Sequence, residues 1–441
     1  MTERPKIIVL DDDPTGSQTV HSCLLLLQWD VDTLVEALQD NCPIFFVLTN
    51  TRALPSEQAA QVTREVCRNL KKAIQLASLP DYLIVSRSDS TLRGHYPLET
   101  DVIAEELGPF SAHFLIPAFF EGGRITRNST HYLIIDGRET PVHETEFAKD
   151  SVFGYHHSYL PLYVEEKTKG KIKAEQVERF LLDDIRRGVQ TRLRQLENNQ
   201  CVVVDGETQE DFDRFAQDIL TVAKEGKKFL LRSAASILTS LAGLGPQPIP
   251  PAEMAKYKPN NNRGVVIVGS HVKKTTQQLN KLLSLPDTYG IEVDVAILKD
   301  DLQQRDNIIA KALAEVKHAL AEDKTPVVYT SREELTFPSV HSRLQFGKQV
   351  SSVLMDIVRG LPRHIGFLIS KGGITSNDVL SDGLSLRVAR LLGQIIPGCS
   401  VITTPDNHPL FPHLPVVLFP GNVGDENSLV TVYQRLSRTL S

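Results

Sequence analysis

Lys6-Ile7-Ile8-Val9-Leu10-Asp11-Asp12-Asp13-Pro14-Thr15-Gly16 is an unbroken apolar run that stops on three carboxylates and a proline–glycine turn. A run apolar at every position fits a parallel strand covered on both faces. In open α/β sheets the ligand sits at the carboxyl ends of the strands, so the acidic turn falls where such a sheet places its chemistry. Three adjacent carboxylates repel, and they need a cation, a hydrogen-bonding ligand or water. The plain alternative is a solvated turn shaped by Pro14 and Gly16.

The pattern repeats along the chain. Further apolar runs of strand length occupy 44–48, 82–86, 113–117 and 201–204, then 265–268, 291–298, 327–330, 366–370, 401–403 and 416–419. Helical spacing separates them. A helix over 56–76, opening on Ser56, puts Val62, Val66, Leu70 and Ile74 on one face. Val177, Leu181, Ile185, Val189 and Leu193 mark a second helix, and Ile309, Leu313, Val316 and Leu320 a third. A fourth is expected through Val379, Leu384, Val388 and Leu391. Such alternation predicts the α/β class. The expected architecture is two domains, each with a mostly parallel sheet flanked by helices, with the ligand cleft between them. The boundary is the stretch 246–262, which carries Pro246, Pro248, Pro250, Pro251 and Pro259 and then Asn260, Asn261 and Asn262. Proline removes backbone donors and restricts its neighbour, so this segment is expected to be a linker between domains 1–245 and 263–441.

The 441 residues allow two to three domains at roughly 100–200 residues each, and the boundary favours two. Hydrophobic residues make up 41% and charged residues 23%, which excludes wholesale disorder. With 48 Lys+Arg against 54 Asp+Glu the net charge is −6. That excludes the global footprint of a nucleic-acid binder but not a local cationic pocket for a small anion. The cysteines, Cys23, Cys42, Cys67, Cys201 and Cys399, form no C-x-x-C pair. They read as buried thiols of a reducing compartment rather than a disulfide or zinc framework. The N-terminal apolar run is too short for a secretory leader, and no stretch nears the about 18 apolar residues of a membrane span. A cytoplasmic protein with neither nucleic-acid nor membrane partner is expected, with homo-oligomerisation left open.

In the first half, each strand end delivers charge. Leu48-Thr49-Asn50-Thr51-Arg52 follows the second run, and Ser86-Arg87-Ser88-Asp89-Ser90-Thr91-Leu92-Arg93-Gly94-His95 the third. Pro117-Ala118-Phe119-Phe120-Glu121-Gly122-Gly123-Arg124 follows the next. A lone loop arginine is ordinarily solvated. Arginines at successive strand ends of one sheet converge, and guanidiniums bind carboxylate or phosphate bidentately. Arginines mixed with Asp, Ser and Thr describe a pocket for a small polyhydroxylated acid. In the second half the strand ends turn to glycine: Gly269-Ser270-His271, Lys371-Gly372-Gly373-Ile374-Thr375-Ser376 and Pro420-Gly421-Asn422-Val423-Gly424. Glycines let backbone amides approach a phosphate, and a following helix N-terminus favours it. The alternative is a tight turn in which Thr375 or Ser376 is an ordinary cap. Neither G-x-G-x-x-G nor G-x-x-x-x-G-K-[ST] is present, so a nucleotide site here is of neither common type.

In this order the motifs resemble the four-carbon acid sugar kinase family, over roughly residues 5–425. The resemblance is carried by Asp12-Asp13-Pro14-Thr15-Gly16, Thr51-Arg52, Asp89-Ser90-Thr91-Leu92-Arg93-Gly94, Pro117-Ala118-Phe119 with Gly123-Arg124, Gly269-Ser270, Gly372-Gly373-Ile374-Thr375, and Pro420-Gly421-Asn422 with Gly424. It implies a sugar-acid domain followed by a nucleotide domain, and ATP-dependent phosphorylation of a small sugar acid such as a tetronate or oxo-tetronate, with Mg²⁺ bridging phosphates. Asp12 or Asp13 would accept the hydroxyl proton or help hold Mg²⁺. Thr15, Gly16, Arg52, Asp89, Ser90, Thr91, Arg93, Gly94 and Arg124 would form the acid site. Gly269, Ser270, Gly372, Gly373, Thr375, Gly421, Asn422 and Gly424 would hold ATP. No dedicated metal ligand is assigned. The chain departs from the pattern at Asp11, where alanine is common, at Phe419, where many members carry lysine, and at Ser233-Ala234-Ala235. If that lysine touches phosphate elsewhere, Lys371 or Lys273 replaces it here. Two other readings compete. Asp11-x-Asp13-x-Thr15 fits a haloacid-dehalogenase-like phosphatase with Asp11 as nucleophile. A non-catalytic binding protein is favoured by Phe419 alone.

Overall fold

A computed structural model of the chain describes residues 4–14, 16–135, 137–332, 335–337 and 339–438. They divide into two compact units, Met1–Pro246 and Gln247–Ser441.

The first unit contains strands β1 (Lys6–Asp11), β2 (Leu24–Leu26), β3 (Ile44–Leu48), β4 (Tyr82–Arg87) and β5 (Ala112–Ile116). A small antiparallel sheet follows, β6 (Arg124–Arg127), β7 (Thr130–Ile135) and β8 (Arg138–Pro141). Then come β9 (Glu178–Phe180), β10 (Gln200–Val204) and β11 (Phe229–Ser233). The main sheet runs β2-β3-β1-β4-β11-β5-β10-β9, every neighbour parallel. β1, β3, β5 and β11 are buried at every position, as continuous apolar runs demand. The helix Ser56–Leu76 buries Ala59, Thr63, Val66, Cys67, Leu70 and Ala73. Its inward face is thus centred a little off the expected stripe, and Val62 and Ile74 sit half-buried at its margin. Phe114 anchors the far side of the core, its ring 5.5 Å from Phe229 and 5.8 Å from Phe215. The chain builds outward from β1 to β3 and β2 on one side and to β4 on the other. This reversal opens a crevice at the carboxyl ends of β1 and β4.

The second unit contains β12 (Val265–Val268), β13 (Thr288–Val293), β14 (Thr325–Thr330), β15 (Leu368–Lys371), β16 (Val388–Ile396), β17 (Cys399–Thr403) and β18 (Pro415–Phe419). Their order is β13-β14-β12-β15-β18-β17-β16. The pairings from β13 to β18 are parallel, and β17 and β16 complete the sheet antiparallel. The first four strands repeat the arrangement of β1 to β4, so here the reversal falls between β12 and β15.

Three expectations are corrected, and one strand was not anticipated. The 177–193 segment is not one helix but β9 followed by helices Leu182–Arg187 and Gln190–Gln195. Gly188, at φ 104°, separates the two helices, and a Cβ there would meet Arg214 Nη2 at 2.5 Å. The run at 291–298 stops at Val293, because Asp294 caps a new helix by accepting from the amides of Ala296 and Ile297. The helix expected through Leu391 ends early. Gly373–Asp378 passes into a π-turn at Val379–Gly383, Ser385 adopts φ 50°, and Val388 and Leu391 lie on β16. β11 escaped notice because Lys227 and Lys228 precede it and Arg232 interrupts its apolar run.

The proline-rich stretch 246–262 is built into the second unit from Gln247 onward. Pro251–Tyr257 forms a 3-10 helix, and Met254 is fully buried among Val266, Phe367, Ile369 and Tyr433. All five cysteines are buried and none is in a disulfide. Among the described residues no helix is long and apolar enough to cross a membrane. Met254→Ala is expected to lower stability by about 2–5 kcal/mol, the usual cost of emptying a core site. Urea unfolding checks this; a free linker would give a change near zero.

Candidate active site

The carboxyl ends of β1, β3, β4 and β11 converge on one network of arginines and carboxylates. Asp12 accepts from Arg52 Nη2 at 2.5 Å and Arg52 Nε at 3.2 Å, and from Ser88 Oγ at 2.8 Å. Arg52 Nη1 also donates to Asp13 at 3.2 Å and lies 3.8 Å from Asp89. Asp89 in turn accepts from Arg93 Nε at 2.8 Å and from the Thr91 hydroxyl. Arg87, the last residue of β4, donates to Asp11 at 3.3 Å. Arg232, opposite Ser86 in the β4–β11 register, donates to Ser86 Oγ at 2.7 Å, Ser88 Oγ at 2.7 Å and Glu99 at 2.6 Å. Pairing of this kind is what lets several carboxylates share a small volume.

Close approach fixes two glycines here. A Cβ on Gly16 would sit 2.1 Å from Asp11 Oδ2. A Cβ on Gly94, at φ 126°, would sit 2.5 Å from Ser88 Oγ and 2.8 Å from Arg232 Nη2. The loop between β4 and Gly94 is held from below. Tyr155 and Tyr163 donate to the carbonyls of Thr91 and Leu92 at 2.7 and 2.9 Å. His131 bridges the Ser90 carbonyl and Thr126 Oγ1 at 2.7 and 2.9 Å. His95 reaches the carbonyls of Thr51 and Leu54 at 3.1 and 3.0 Å, which makes it a strut. A small cleft beside the network is lined by Ser88, Asp89, Arg93, Tyr163, Arg232 and Ser233.

Burial and charge act on these groups in opposite directions. Burial pushes Asp11 up to about 7 despite Arg87, and Asp11 Oδ2 has no hydrogen-bond partner. Burial would also raise Asp89, but Arg52 and Arg93 hold it well below the ordinary carboxylate range. Burial lowers His131 to about 4, so it is neutral. Arg124 donates to the Gly122 carbonyl, while its buried Nε has no partner. Burial lowers its pKa and the nearby Asp89 carboxylate opposes that.

In the second unit the glycine turns meet at the other reversal. A Cβ on Gly269 would lie 2.3 Å from Thr375 Oγ1, and one on Gly372, at φ 125°, 2.9 Å from the same atom. A Cβ on Gly421 would lie 3.1 Å from Ser270 Oγ. Thr275 Oγ1 ties the turns, donating to the Gly421 carbonyl at 3.1 Å and lying 3.2 Å from the Ser270 hydroxyl. The result is a cradle of backbone that side chains would fill. Gly373 faces open space and Asn422 is exposed. Thr375 and Ser376 are buried and neither caps the helix.

Residues 7–241 match a sugar-binding N-terminal domain and residues 265–429 a nucleotide-binding C-terminal domain. The chain belongs to the four-carbon acid sugar kinase family. Relatives include the D-erythronate kinase of Heliobacterium modesticaldum, 25% identical over 315 residues, 68% of this chain and 66% of that one. The D-threonate kinase of Bordetella bronchiseptica is 29% identical over 166 residues, 36% of this chain and 38% of the relative. The alignments thus leave a third or more of each relative's own length unmatched. The fold is shared with a Salmonella typhimurium LT2 protein at TM-score 0.72 and 19% identity, over 97% of this chain and 98% of that one. It is also shared with a Haemophilus influenzae protein of the DUF1537 family at TM-score 0.66 and 17% identity, over 97% and 100%.

In this acid sugar kinase family member, Asp12, Asp13, Arg52, Asp89 and Arg93 come together as the sequence suggested, with Gly16, Thr91 and Gly94 shaping the same loops. Arg124 lies within electrostatic reach of Asp89 and Arg93. Ser90 enters through its carbonyl, which His131 holds. Thr15 lies outside the described residues. Arg87, Ser88, Glu99 and Arg232 were missed. In the second unit so was Arg332, which donates to the Ser270 carbonyl at 2.7 Å and keeps a buried, unpartnered Nη1. Each lies in or beside an apolar run or a helix, and only strand order brings it to the site. Asp11 is 1% exposed and bonded to Arg87, which closes it to the attack a phosphatase nucleophile must make. Its raised pKa has a signed consequence. Between about pH 4 and pH 7 the native chain keeps a proton that the unfolded chain has released, so stability falls as pH rises. Asp11→Asn is expected to flatten that fall, measured as the urea midpoint at about pH 5 and about pH 7.5.

Proposed function

We propose that this chain transfers the γ-phosphoryl group of ATP to a hydroxyl of a small, four-carbon-like sugar acid such as a tetronate or oxo-tetronate. The observation that carries this is the exposure gradient in the acidic turn. The Asp11 and Asp12 side chains are 1% and 2% exposed, and Asp13 is 26% exposed beside Arg52. Asp13 is therefore the carboxylate that meets a substrate hydroxyl and accepts its proton, while Asp12 locks Arg52 in place. Arg93, 29% exposed, and Arg124, with its unpartnered Nε, take the acid's carboxylate. Ser88 and Asp89 face the same cleft and read its hydroxyls. Arg52 thus serves as a positioning residue rather than a direct carboxylate ligand.

ATP suits the cradle of Gly269, Gly372 and Gly421, where backbone amides can approach phosphate because no Cβ intervenes. ATP supplies the phosphoryl group. Among the described residues no three His, Cys, Asp or Glu side chains are grouped to hold a metal ion; Mg²⁺ would enter with the nucleotide's phosphates.

The test is ATP consumption against a panel of four-carbon acids. Consumption is expected only with a matching acid. Asp13→Asn should lower kcat by about 10²–10⁴-fold, the usual worth of a general base, with KM little changed. Arg93→Ala should raise KM by about 10–100-fold, as loss of a charge-assisted bond does. Full turnover by Asp13→Asn would sink the assignment, and phosphate release without ATP would favour a phosphatase.

A further inference from the structure

Among the described residues, one buried lysine of the second unit has no carboxylate partner. Lys371 closes β15 and is fully buried. Its register partner on β18 is Phe419, and its Nζ lies 3.9 Å from the centroid of that ring. Nζ donates to the carbonyls of Pro420 at 2.5 Å and Gly421 at 3.2 Å, the first two residues of the third glycine turn. An ammonium carries three donors, and those carbonyls take two. The titratable groups facing it are Cys399 on β17, a thiol kept protonated by burial, and Lys274 on the helix Lys273–Leu283, a like charge. Among the described residues no carboxylate pairs with it. Burial accordingly lowers the amine to about 7. Arg332, with its orphaned Nη1, stands at the adjoining turn through Ser270. Lys273, in contrast, is exposed at the start of its helix.

A buried ammonium without a counter-anion is costly and tends to shed its proton. A buried lysine with no carboxylate partner, beside a guanidinium that keeps one unpartnered nitrogen although Glu292 attracts it, describes a glycine cradle built for an anion that arrives from outside. We infer that Lys371 is the lysine that contacts the nucleotide's phosphates, reaching the Pro420–Gly424 turn from the neighbouring strand, and that it takes up a proton from solvent as they bind. This rests on the nucleotide reading of the second unit. The amine gains the proton and no other bond is made or broken.

Calorimetry with ADP at about pH 8, where the free nucleotide's phosphates are already ionised, in two buffers of different ionisation enthalpy reads both affinity and proton uptake. The wild type is expected to bind with uptake of more than half a proton. Lys371→Met should bind at least about 10-fold more weakly, the lower bound for a lost charge-assisted bond, and without uptake. Lys371→Arg, always charged, should bind without uptake, and it carries the test if the methionine variant does not fold. A wild type that binds ADP without uptake, or variants that retain both affinity and uptake, would reduce Lys371 to a support for the turn. A wild type that binds no ADP would overturn the nucleotide reading itself, and this inference with it.

Discussion

Three consecutive carboxylates at the end of a buried strand can persist only if positive charge is delivered to them, and the first unit is arranged around that delivery. Arg52 grips Asp12 with two nitrogens and Asp13 with a third. Arg87 answers Asp11 from the next strand. Each pair is buried or half-buried, and removing one partner of a buried pair typically costs 3–5 kcal/mol because the other is stranded. The network thus fixes the rotamers of the groups proposed to meet a substrate. Asp13, at its edge, is the most exposed of the three carboxylates.

The second unit starts from the same strand reversal and solves the opposite problem. On the nucleotide reading proposed above, its crevice takes anions with backbone. Gly269 and Gly372 pack against Thr375 too closely for a side chain, and Gly421 lies tight against Ser270. Among the described residues, Lys371 there has no carboxylate partner and Arg332 keeps a buried, unpartnered Nη1. One chain therefore uses one topology twice, once with carboxylates neutralised by arginine and once with bare amides backed by cations.

Much of this was legible in the sequence. Strand ends were readable because parallel strands are apolar throughout and stop abruptly on polar turns. Asp12, Asp13, Arg52, Asp89 and Arg93 stand at those stops. Arg232 was not readable, because β11 comes late in the chain and inserts between β4 and β5, and only that insertion sets it opposite Ser86. Glu99 is hidden in a helix for the same reason. Met254 looked like linker because proline density signals an extended segment but says nothing about whether that segment packs. The four-residue spacing of 177–193 misled because a strand, a glycine break and two short helices can bury Val177, Ile185, Val189 and Leu193 as well as one helix can.

The division of labour between the units is most directly tested by equilibrium binding of a four-carbon acid and of ADP, measured separately on the full chain. Arg93→Ala is predicted to weaken the acid and leave ADP unchanged. Gly372→Ala, which forces a side chain onto a φ of 125° and against Thr375, is predicted to weaken ADP and leave the acid unchanged. If either variant weakened both ligands equally, or if Arg93→Ala weakened only ADP, the assignment of acid to the first unit and nucleotide to the second would be contradicted.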